Sequence, residues 1–507
     1  MDVGTDFVAP VIDWYALSPY IVLLAGALVL LLVGSLTPRW PKGWYAILTA
    51  VTAGAAGVVA AIQFAGLSDE EPRSLMKGVL AHDRFGLLAV VALCVAVVIT
   101  SMMASDNAVS DAQRAETDSL EPYALLLTAA LGAAVMVTSN DLVVSFLGIE
   151  ILSISMYVLA ASDRRRATSH EAGLKYFVLG GFSSAFLLYG IALVYGTTGQ
   201  TNLGSIAVVL ADEVTVPRND AMLLAGVALL LVGLSFKVSL VPFHSWTPDV
   251  YHGSPTYVTG FMASLGKIAA VVALVRLFVV AFPARADDWR PAVFVLAVLT
   301  LVVGSVLAIV QTDVKRMLAY SSVSHAGFML VGLEAAGHLG SSAASDGATS
   351  SLLYVVLYSV LAVGSFATVA MVTARGDGNS TSLEAFRGIA KSNPVFALGF
   401  TVLLLAQAGV PLTSGFVAKF GVIRAAVSTE SYVLAILAMV SAVVAAYLYV
   451  RIMVSMWLAE PSVETPVIRV GFAGRVSLGI SVAVTLVLGV FPSILLNLED
   501  LGTRLAR

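Results

Sequence analysis

Apolar runs long enough to cross a lipid bilayer recur along almost the whole sequence, and this feature constrains the fold more than any other. Only 12% of the 507 residues are charged, roughly half the fraction of about 25% found in soluble domains. Because a transmembrane helix needs about 20 mostly apolar residues, the sequence predicts an all-α polytopic membrane protein with about 14 transmembrane helices. The predicted spans are 19–36, 44–66, 85–104, 120–138, 141–161, 171–196, 221–241, 257–282, 291–311, 316–337, 350–373, 395–427, 432–457 and 472–496.

The basic residues of the connecting loops predict how these spans are oriented. Lys and Arg are concentrated in the loops after the first, fifth, ninth and eleventh spans, which all lie on one side of the membrane. Loops with an excess of these residues stay in the cytoplasm. We therefore expect both termini on the outer side.

Two of the predicted spans are interrupted. The stretch "LSFKVSLVPFHSWTPDVYHGSP" begins within the seventh span and runs past its end, and the twelfth span contains "LAQAGVPLTSGFVAKF". Each combines a central proline, Pro242 or Pro411, with a lysine, Lys237 or Lys419. The breaks lie five spans apart, and an odd offset reverses the direction of the chain through the membrane. Paired interruptions of this kind indicate inverted repeats around a transport site near the midplane.

This offset also predicts the organisation of the chain. We expect two inverted five-helix repeats, each with one broken helix, between a short N-terminal part and a C-terminal helix. The predicted parts are a three-helix segment at 1–118, the first repeat at 119–284, the second repeat at 285–460, and a helix and tail at 461–507.

Ionisable residues inside the spans are the candidates for function, because each costs about 2.5–3.5 kcal/mol near a helix centre. Glu150 lies near the middle of the fifth span, and Lys237 precedes the break in the seventh. A nearby carboxylate favours the charged form of a lysine, whereas desolvation opposes it. We expect this pair to bind or release a proton according to its separation. A neutral, hydrogen-bonded Glu150 that only fixes helix packing is the alternative.

Three more candidates lie at a similar depth. Lys267 is about ten residues into the eighth span, too deep for its side chain to reach an interface easily. His325 follows Arg316 by nine residues, which places it roughly 13 Å deep. Imidazole titrates near neutral pH, and the neighbouring serines at 321, 322 and 324 favour a hydrated path over a packing histidine. Lys419 follows the second proline break by two turns.

Two cations nearer the span ends have simpler interpretations. Arg276 lies within two turns of the outer end of the eighth span, where we expect it to anchor the helix at the interface. Lys175 follows Glu171 by four residues, a favourable pairing on a helix surface. For Lys175 a surface ion pair and a functional role are both compatible with the sequence.

Several classes of function lack support in the sequence. It contains no glycine-rich nucleotide-binding motif, and its one cysteine, Cys94, is too few for an iron–sulfur cluster. No basic patch with interleaved aromatic residues points to nucleic acid. We expect the lipid bilayer as the surroundings, no nucleic-acid partner, and no metal or cofactor bound by this chain.

Four stretches together resemble a known family. "FKVSLVPFHSWTPDVYHGSP", "QTDVKRMLAYSSVSHAGF", "LAQAGVPLTSGFVAKF" and "LKYFVLGGFSSAFLLYG" are similar to signatures of the proton-pumping, antiporter-like membrane subunits of respiratory complex I. The resemblance covers essentially the whole chain. Lys419 stands where M-type subunits have a glutamate, and the sequence shows no long lateral-helix extension of the L type. The resemblance therefore favours neither of these two types.

The resemblance implies a fourteen-helix subunit of the membrane arm of a NADH–quinone oxidoreductase, which moves protons while quinone is reduced elsewhere. NADH, FMN, iron–sulfur clusters and quinone are then expected in other subunits. The implied neighbours are an M-type subunit and small K- and J-type subunits in the bacterial inner (plasma) membrane. The residues that the resemblance assigns to proton translocation are Glu150, Lys237, Lys267, His325 and Lys419, with Lys175 as a further candidate.

Two other interpretations stay open. A subunit of a multi-subunit Na⁺/H⁺ antiporter complex would share the fold and the lysine and glutamate motifs, but its partners would not oxidise NADH. A passive membrane scaffold would use the buried charges only to fix helix packing.

Overall fold

The computed structural model describes residues 12–38, 40–41, 43–67, 72–109, 120–211, 220–338, 342–373, 381–461, 471–502 and 505. Most of these residues are in α-helices. The first ten are α1 (Trp14–Leu36), α2 (Trp44–Gly66), α3 (Arg84–Val109), α4 (Glu121–Thr138), α5 (Leu142–Ala160), α6 (Ala167–Thr198), α7 (Leu203–Ala211), α8 (Asp220–Val238), α9 (Trp246–Gly253) and α10 (Thr256–Phe261). The others are α11 (Lys267–Arg276), α12 (Ala286–Ile309), α13 (Val314–Ala336), α14 (Ser342–Thr373), α15 (Ile389–Ser392), α16 (Pro394–Ala408), α17 (Ser414–Ser428), α18 (Tyr432–Trp457), α19 (Phe472–Val490) and α20 (Ser493–Leu496).

Twelve helical stretches in the described residues are long and apolar enough to cross a membrane, and they match all the predicted spans except the tenth and the twelfth. The tenth is the continuous helix α13, which carries more polar side chains. The twelfth is divided between α16 and α17, each of 15 residues. The all-α membrane fold is confirmed. The exact number of crossings, the division into a three-helix segment, two repeats and a C-terminal helix, and the inverted relation of the repeats stay predictions.

Both predicted interruptions are present. α8 ends at Val238, and the chain passes through a turn before α9 begins at Trp246. α16 ends at Ala408, and Gly409, which caps it, has a φ of 90° in the left-handed region that glycine adopts most easily. The sequence did not indicate α9, because its eight residues have no apolar run of their own.

A short hairpin joins α2 to α3 and was not predicted. Its strands are β1 (Arg73–Leu75) and β2 (Leu80–His82), paired antiparallel. The carbonyl of Gly78 at its tip accepts hydrogen bonds from the side-chain amides of Asn140 and Asn202. The hairpin therefore ties the α2–α3 connection to the segments that precede α5 and α7.

Arg276 corrects one expectation. Its side chain is 1% exposed and pairs with Asp83, which is also buried, through Nη2 and Oδ1 at 2.8 Å. Arg276 Nε donates a hydrogen bond to the carbonyl of Val137 at 3.2 Å. The interface anchor was a wrong prediction, because the sequence did not show that Asp83 at the start of α3 packs beside this helix.

The second break requires glycine at position 415, because the backbone of α16 leaves no room for a side chain there. A Cβ at Gly415 would lie 1.8 Å from the carbonyl oxygen of Ala406 on α16, whereas a Cβ at Gly479 on α19 would have no atom within 4 Å. Glycine-to-alanine changes in helices normally stabilise by roughly 0.5–1 kcal/mol. We therefore expect Gly415→Ala to lower the yield of assembled protein severely and Gly479→Ala to leave it intact. Equal yields after affinity purification would contradict this reading of the break.

The Asp83–Arg276 pair gives a second prediction. Arg276→Met leaves a buried carboxylate without its cation, and we expect a destabilisation of about 3–5 kcal/mol. Asp83→Asn combined with Arg276→Met is expected to recover part of the loss, because the carboxylate charge that Arg276 balances is removed with it. The midpoint of thermal unfolding in detergent measures both. Lys391→Met, which removes an exposed pair with Glu460, is the control and is expected to cost at most about 1 kcal/mol.

Candidate functional site

Glu150 and Lys237 lie on neighbouring helices but are not in direct contact. Glu150 on α5 accepts a hydrogen bond at 2.5 Å from the hydroxyl of Ser184 on α6. Lys237 Nζ, one residue before the end of α8, donates to Ser153 Oγ at 2.7 Å and to the Tyr157 hydroxyl at 3.2 Å. Among the described residues no ion pair within 4.0 Å joins the two charges. Ser153, one turn after Glu150, holds the lysine instead.

Lys267 connects the first break to helix α13. Its side chain is 1% exposed, and it is the first residue after a π-helical turn, Met262–Gly266. Its Nζ donates to the carbonyl of Val238 at 3.2 Å and to that of Ser322 at 2.5 Å. Val238 ends α8, so no following helical turn supplies an N–H for its carbonyl. The lysine caps this broken helix at its negative end.

His325 lies between two tyrosine hydroxyls. Nδ1 is 2.7 Å from the hydroxyl of Tyr354 on α14, and Nε2 is 3.1 Å from that of Tyr449 on α18. The Tyr449 hydroxyl is also 2.6 Å from Ser321 Oγ. Since hydroxyls both donate and accept, these contacts suit either tautomer of the ring. The site is buried, and His325 is 4% exposed.

Lys419 occupies the second break in the way that Lys267 occupies the first. Its Nζ donates to the carbonyls of Gln407 and Ala408, the last residues of α16, at 2.9 and 3.0 Å. The Gln407 side chain accepts from Ser321 Oγ at 3.5 Å, at the limit for a hydrogen bond. Ser321 contacts Tyr449, which contacts His325. A series of polar contacts therefore leads from His325 to Lys419.

Lys175 lies apart from this series. Its Nζ pairs with Glu171 at 2.7 Å and with Asp249 at 2.9 Å, and Asp249 also pairs with Arg316 at 3.0 Å. The Lys175 and Asp249 side chains are 41% and 39% exposed in the isolated chain. The structure places Lys175 in a half-exposed ion-pair network at the side of the basic loops.

The sequence did not predict most of the uncharged side chains that form hydrogen bonds with the candidate residues. A usable signal existed for Ser153 and Tyr157, because positions three and seven residues after Glu150 share its helix face. No local signal existed for Tyr354, Tyr449 and Gln407, which approach the His325 region from distant helices.

No group of three or more His, Cys, Asp or Glu side chains in the part of the chain that the structure describes is arranged to hold a metal ion.

Comparisons with known proteins define the family. Residues 139–445 match the family model described as "NADH:quinone oxidoreductase/Mrp antiporter, TM". NADH-quinone oxidoreductase subunit N of Parafrankia sp. (strain EAN1pec) is 41% identical over 96% of this chain and 94% of its own length. The chain belongs to the NADH–quinone oxidoreductase subunit N family.

Solved structures agree with this assignment. A chain of respiratory complex I from Thermus thermophilus with bound aureothin is 30% identical, with a TM-score of 0.77, over 94% of this chain and 98% of its own. A chain of the Mrp complex from Dietzia sp. DQ12-45-1b has a TM-score of 0.82 at 21% identity, over 96% of each chain, which shows the shared fold alone. This member of the subunit N family is a multi-pass, antiporter-like membrane-arm subunit whose partners are other membrane-arm subunits.

The surroundings of Lys175 predict a small functional effect for this residue. Half-exposed ion pairs contribute about 0–1 kcal/mol, and Arg316 still pairs with Asp249 when Lys175 is removed. We expect Lys175→Ala to leave proton pumping by the purified complex in proteoliposomes within about twofold of the unmodified rate. A much larger loss with intact assembly would place Lys175 in the transport machinery.

Proposed function

We propose that this subunit moves protons across the plasma membrane through Glu150, Lys237, Lys267, His325 and Lys419, driven by quinone reduction in other subunits of a NADH–quinone oxidoreductase. One observation carries the proposal: helix α13 is in polar contact with both broken helices, with α8 through Lys267 and with α16 through Gln407. Lys267 donates hydrogen bonds to carbonyls of both α8 and α13. On α13, Ser321 contacts the side chain of Gln407. The backbone carbonyl of Gln407 accepts a hydrogen bond from Lys419.

The first step in this proposal is the approach of Glu150 to Lys237. The lysine binds Ser153 and Tyr157 while the carboxylate binds Ser184, which corresponds to a separated state of the pair. Approach of the carboxylate stabilises the ammonium, and separation favours release of its proton. One unit of pKa change is about 1.4 kcal/mol, so a small displacement is sufficient to change the occupancy of the lysine.

The next steps follow the series of contacts. A proton leaves Lys237, passes by Lys267 and the His325 imidazole, and reaches Lys419, which exchanges it with the outer side. His325 is suited to this transfer because each ring nitrogen has a hydroxyl partner. The buried hydroxyls of Ser235, Thr247 and Ser324 have no protein hydrogen-bond partner among the described residues. Each therefore has bonding capacity for water along the route.

The broken helices couple the charge of each lysine to local structure. Lys267 and Lys419 both bind carbonyls at helix C-termini, where a cation is favoured over a neutral amine. Loss of the proton weakens this cap, and movement of a helix end in turn alters the proton affinity of the lysine.

The proposed surroundings are those of a membrane arm. We place an M-type subunit and small K- and J-type subunits as neighbours, both termini on the outer side of the bacterial membrane, and NADH, FMN, iron–sulfur clusters and quinone in other subunits. No cofactor is assigned to this chain.

A Na⁺/H⁺ antiporter subunit is the second candidate. The matching family model includes Mrp antiporters, and a chain of an Mrp complex shares the fold. The names of the relatives at about 40% identity favour the oxidoreductase. Gentle purification of the tagged chain decides between the two. NADH oxidation with an artificial electron acceptor is expected in the purified assembly, and partners without this activity would favour the antiporter.

Lys267→Met tests the proton route. Methionine has a side chain of similar length that cannot bind or release a proton. We therefore expect quinone-linked proton pumping to fall at least about tenfold. NADH oxidation with an artificial acceptor, which bypasses the membrane arm, should stay unchanged and serves to normalise for assembly. Lys391→Met, at an exposed lysine, is the matched control. Unchanged pumping by assembled Lys267→Met complexes would contradict the proposal.

A further inference from the structure

Lys315 is a buried cation to which the proposed route gives no role. It is the second residue of α13, and it is 1% exposed. Its Nζ donates to the carbonyl of Ser254 at 2.7 Å and to that of His252 at 3.1 Å. Both carbonyls lie at the C-terminal end of α9, the short helix that follows the first break.

The contacts of Lys315 lead outward to a pair that water reaches. His252 Nε2 is 3.4 Å from Asp313 Oδ2, and these side chains are 38% and 19% exposed. Burial alone would raise the pKa of Asp313, but hydrogen bonds from His252, Thr381 and the Arg316 N–H hold that pKa below its usual range. Asp313 is therefore an anion beside the buried lysine, at the side of the basic loops.

The contacts also lead inward. Thr247, Tyr251 and Ser254 are spaced so that they share one face of α9, and Ser322 follows Lys315 by two helical turns on α13. Tyr251 and Ser322 are both buried, Ser322 Oγ has no protein hydrogen-bond partner among the described residues, and the Ser322 carbonyl accepts a hydrogen bond from Lys267. Thr247 Oγ1 is buried without a protein partner among the described residues. Polar groups therefore line the α9–α13 contact from Lys315 to Lys267.

We propose that Lys315 is a second entry residue for protons, beside the one at Lys237: it takes them up next to Asp313 and His252 and passes them along the α9–α13 contact to Lys267. This inference rests on the proposed function, because Lys267 must carry protons for an entry to it to matter.

Each transfer is balanced. Lys315 ammonium releases one proton through the hydroxyls of Tyr251 and Ser322, with intervening water, to neutral Lys267. The neutral Lys315 amine then takes one proton from the aqueous side through the His252–Asp313 pair. The net result of one cycle is a single proton moved from the aqueous phase to Lys267, with both partners of Lys315 unchanged.

A purely structural role makes a different prediction. If Lys315 only caps α9, any cation that donates to the two carbonyls is sufficient. Arginine keeps the charge and the donors but does not release a proton in proteins. Lys315→Arg therefore separates the two roles.

The experiment uses the whole purified complex in proteoliposomes. We expect Lys315→Arg to assemble, to keep NADH oxidation with an artificial acceptor, and to lose at least about threefold in quinone-linked proton pumping. The matched control is Lys391→Arg at an exposed lysine, which should pump normally. A smaller loss in assembled Lys315→Arg complexes would overturn the entry role and leave Lys315 as a cap.

A second variant is used if arginine is too large for assembly. Tyr251→Phe combined with Thr247→Val conserves volume and removes two hydroxyls from the inward path, with Tyr432→Phe at an exposed tyrosine as control. A loss of pumping beyond about threefold supports the route. Unchanged pumping overturns it, and so does failure of this variant to assemble, since both outcomes assign these side chains to the framework.

Lys267→Met distinguishes this inference from the proposed function. If Lys267→Met abolishes pumping while Lys315→Arg pumps normally, only the entry at Lys315 is wrong. If Lys267→Met pumps normally, the proposed function itself is wrong.

Discussion

The architecture depends on lysine side chains that bind the carbonyls at the ends of interrupted helices. Backbone groups without partners are tolerated at membrane depth only where protein or water satisfies them. Lys267 does this for α8, Lys419 for α16, and Lys315 for α9. The favourable interaction of a cation with the negative end of a helix offsets part of the free-energy cost of removing that cation from water. The buried charge therefore satisfies carbonyls that the helix break leaves without a helical partner.

The proton route that we propose runs through the same groups that close the helix ends. The groups that close the helix ends are also groups that ionise, so a change in protonation is a change in helix capping. Between the two breaks, His325 and Ser321 on α13 both contact the hydroxyl of Tyr449 on the distant helix α18. Helix α13 is thus central to the site. The polar side chains that it brings there are the reason that it is not among the helices apolar enough to cross a membrane.

The conspicuous part of the site was predictable. A charge within an apolar run is costly wherever it lies, so Glu150, Lys267 and Lys419 stand out from their neighbours. Depth alone was a poorer guide to partners. Arg276 near a span end is completely buried against Asp83, and Lys175 lies in a half-exposed network with Asp249. In both cases a side chain from a distant segment decided the environment.

The sequence by itself determined the membrane fold, the approximate spans, the two breaks and most of the ionisable residues within the spans, but not the burial of Arg276 or Lys315. These follow from local hydrophobicity and from proline and charge within single helices, which are properties of contiguous residues. Only the tertiary structure decided which carbonyl each lysine caps, that Ser153 rather than Glu150 holds Lys237, and that tyrosines flank His325. These contacts join residues up to 124 positions apart, and helix packing, which no local pattern encodes, brings them together.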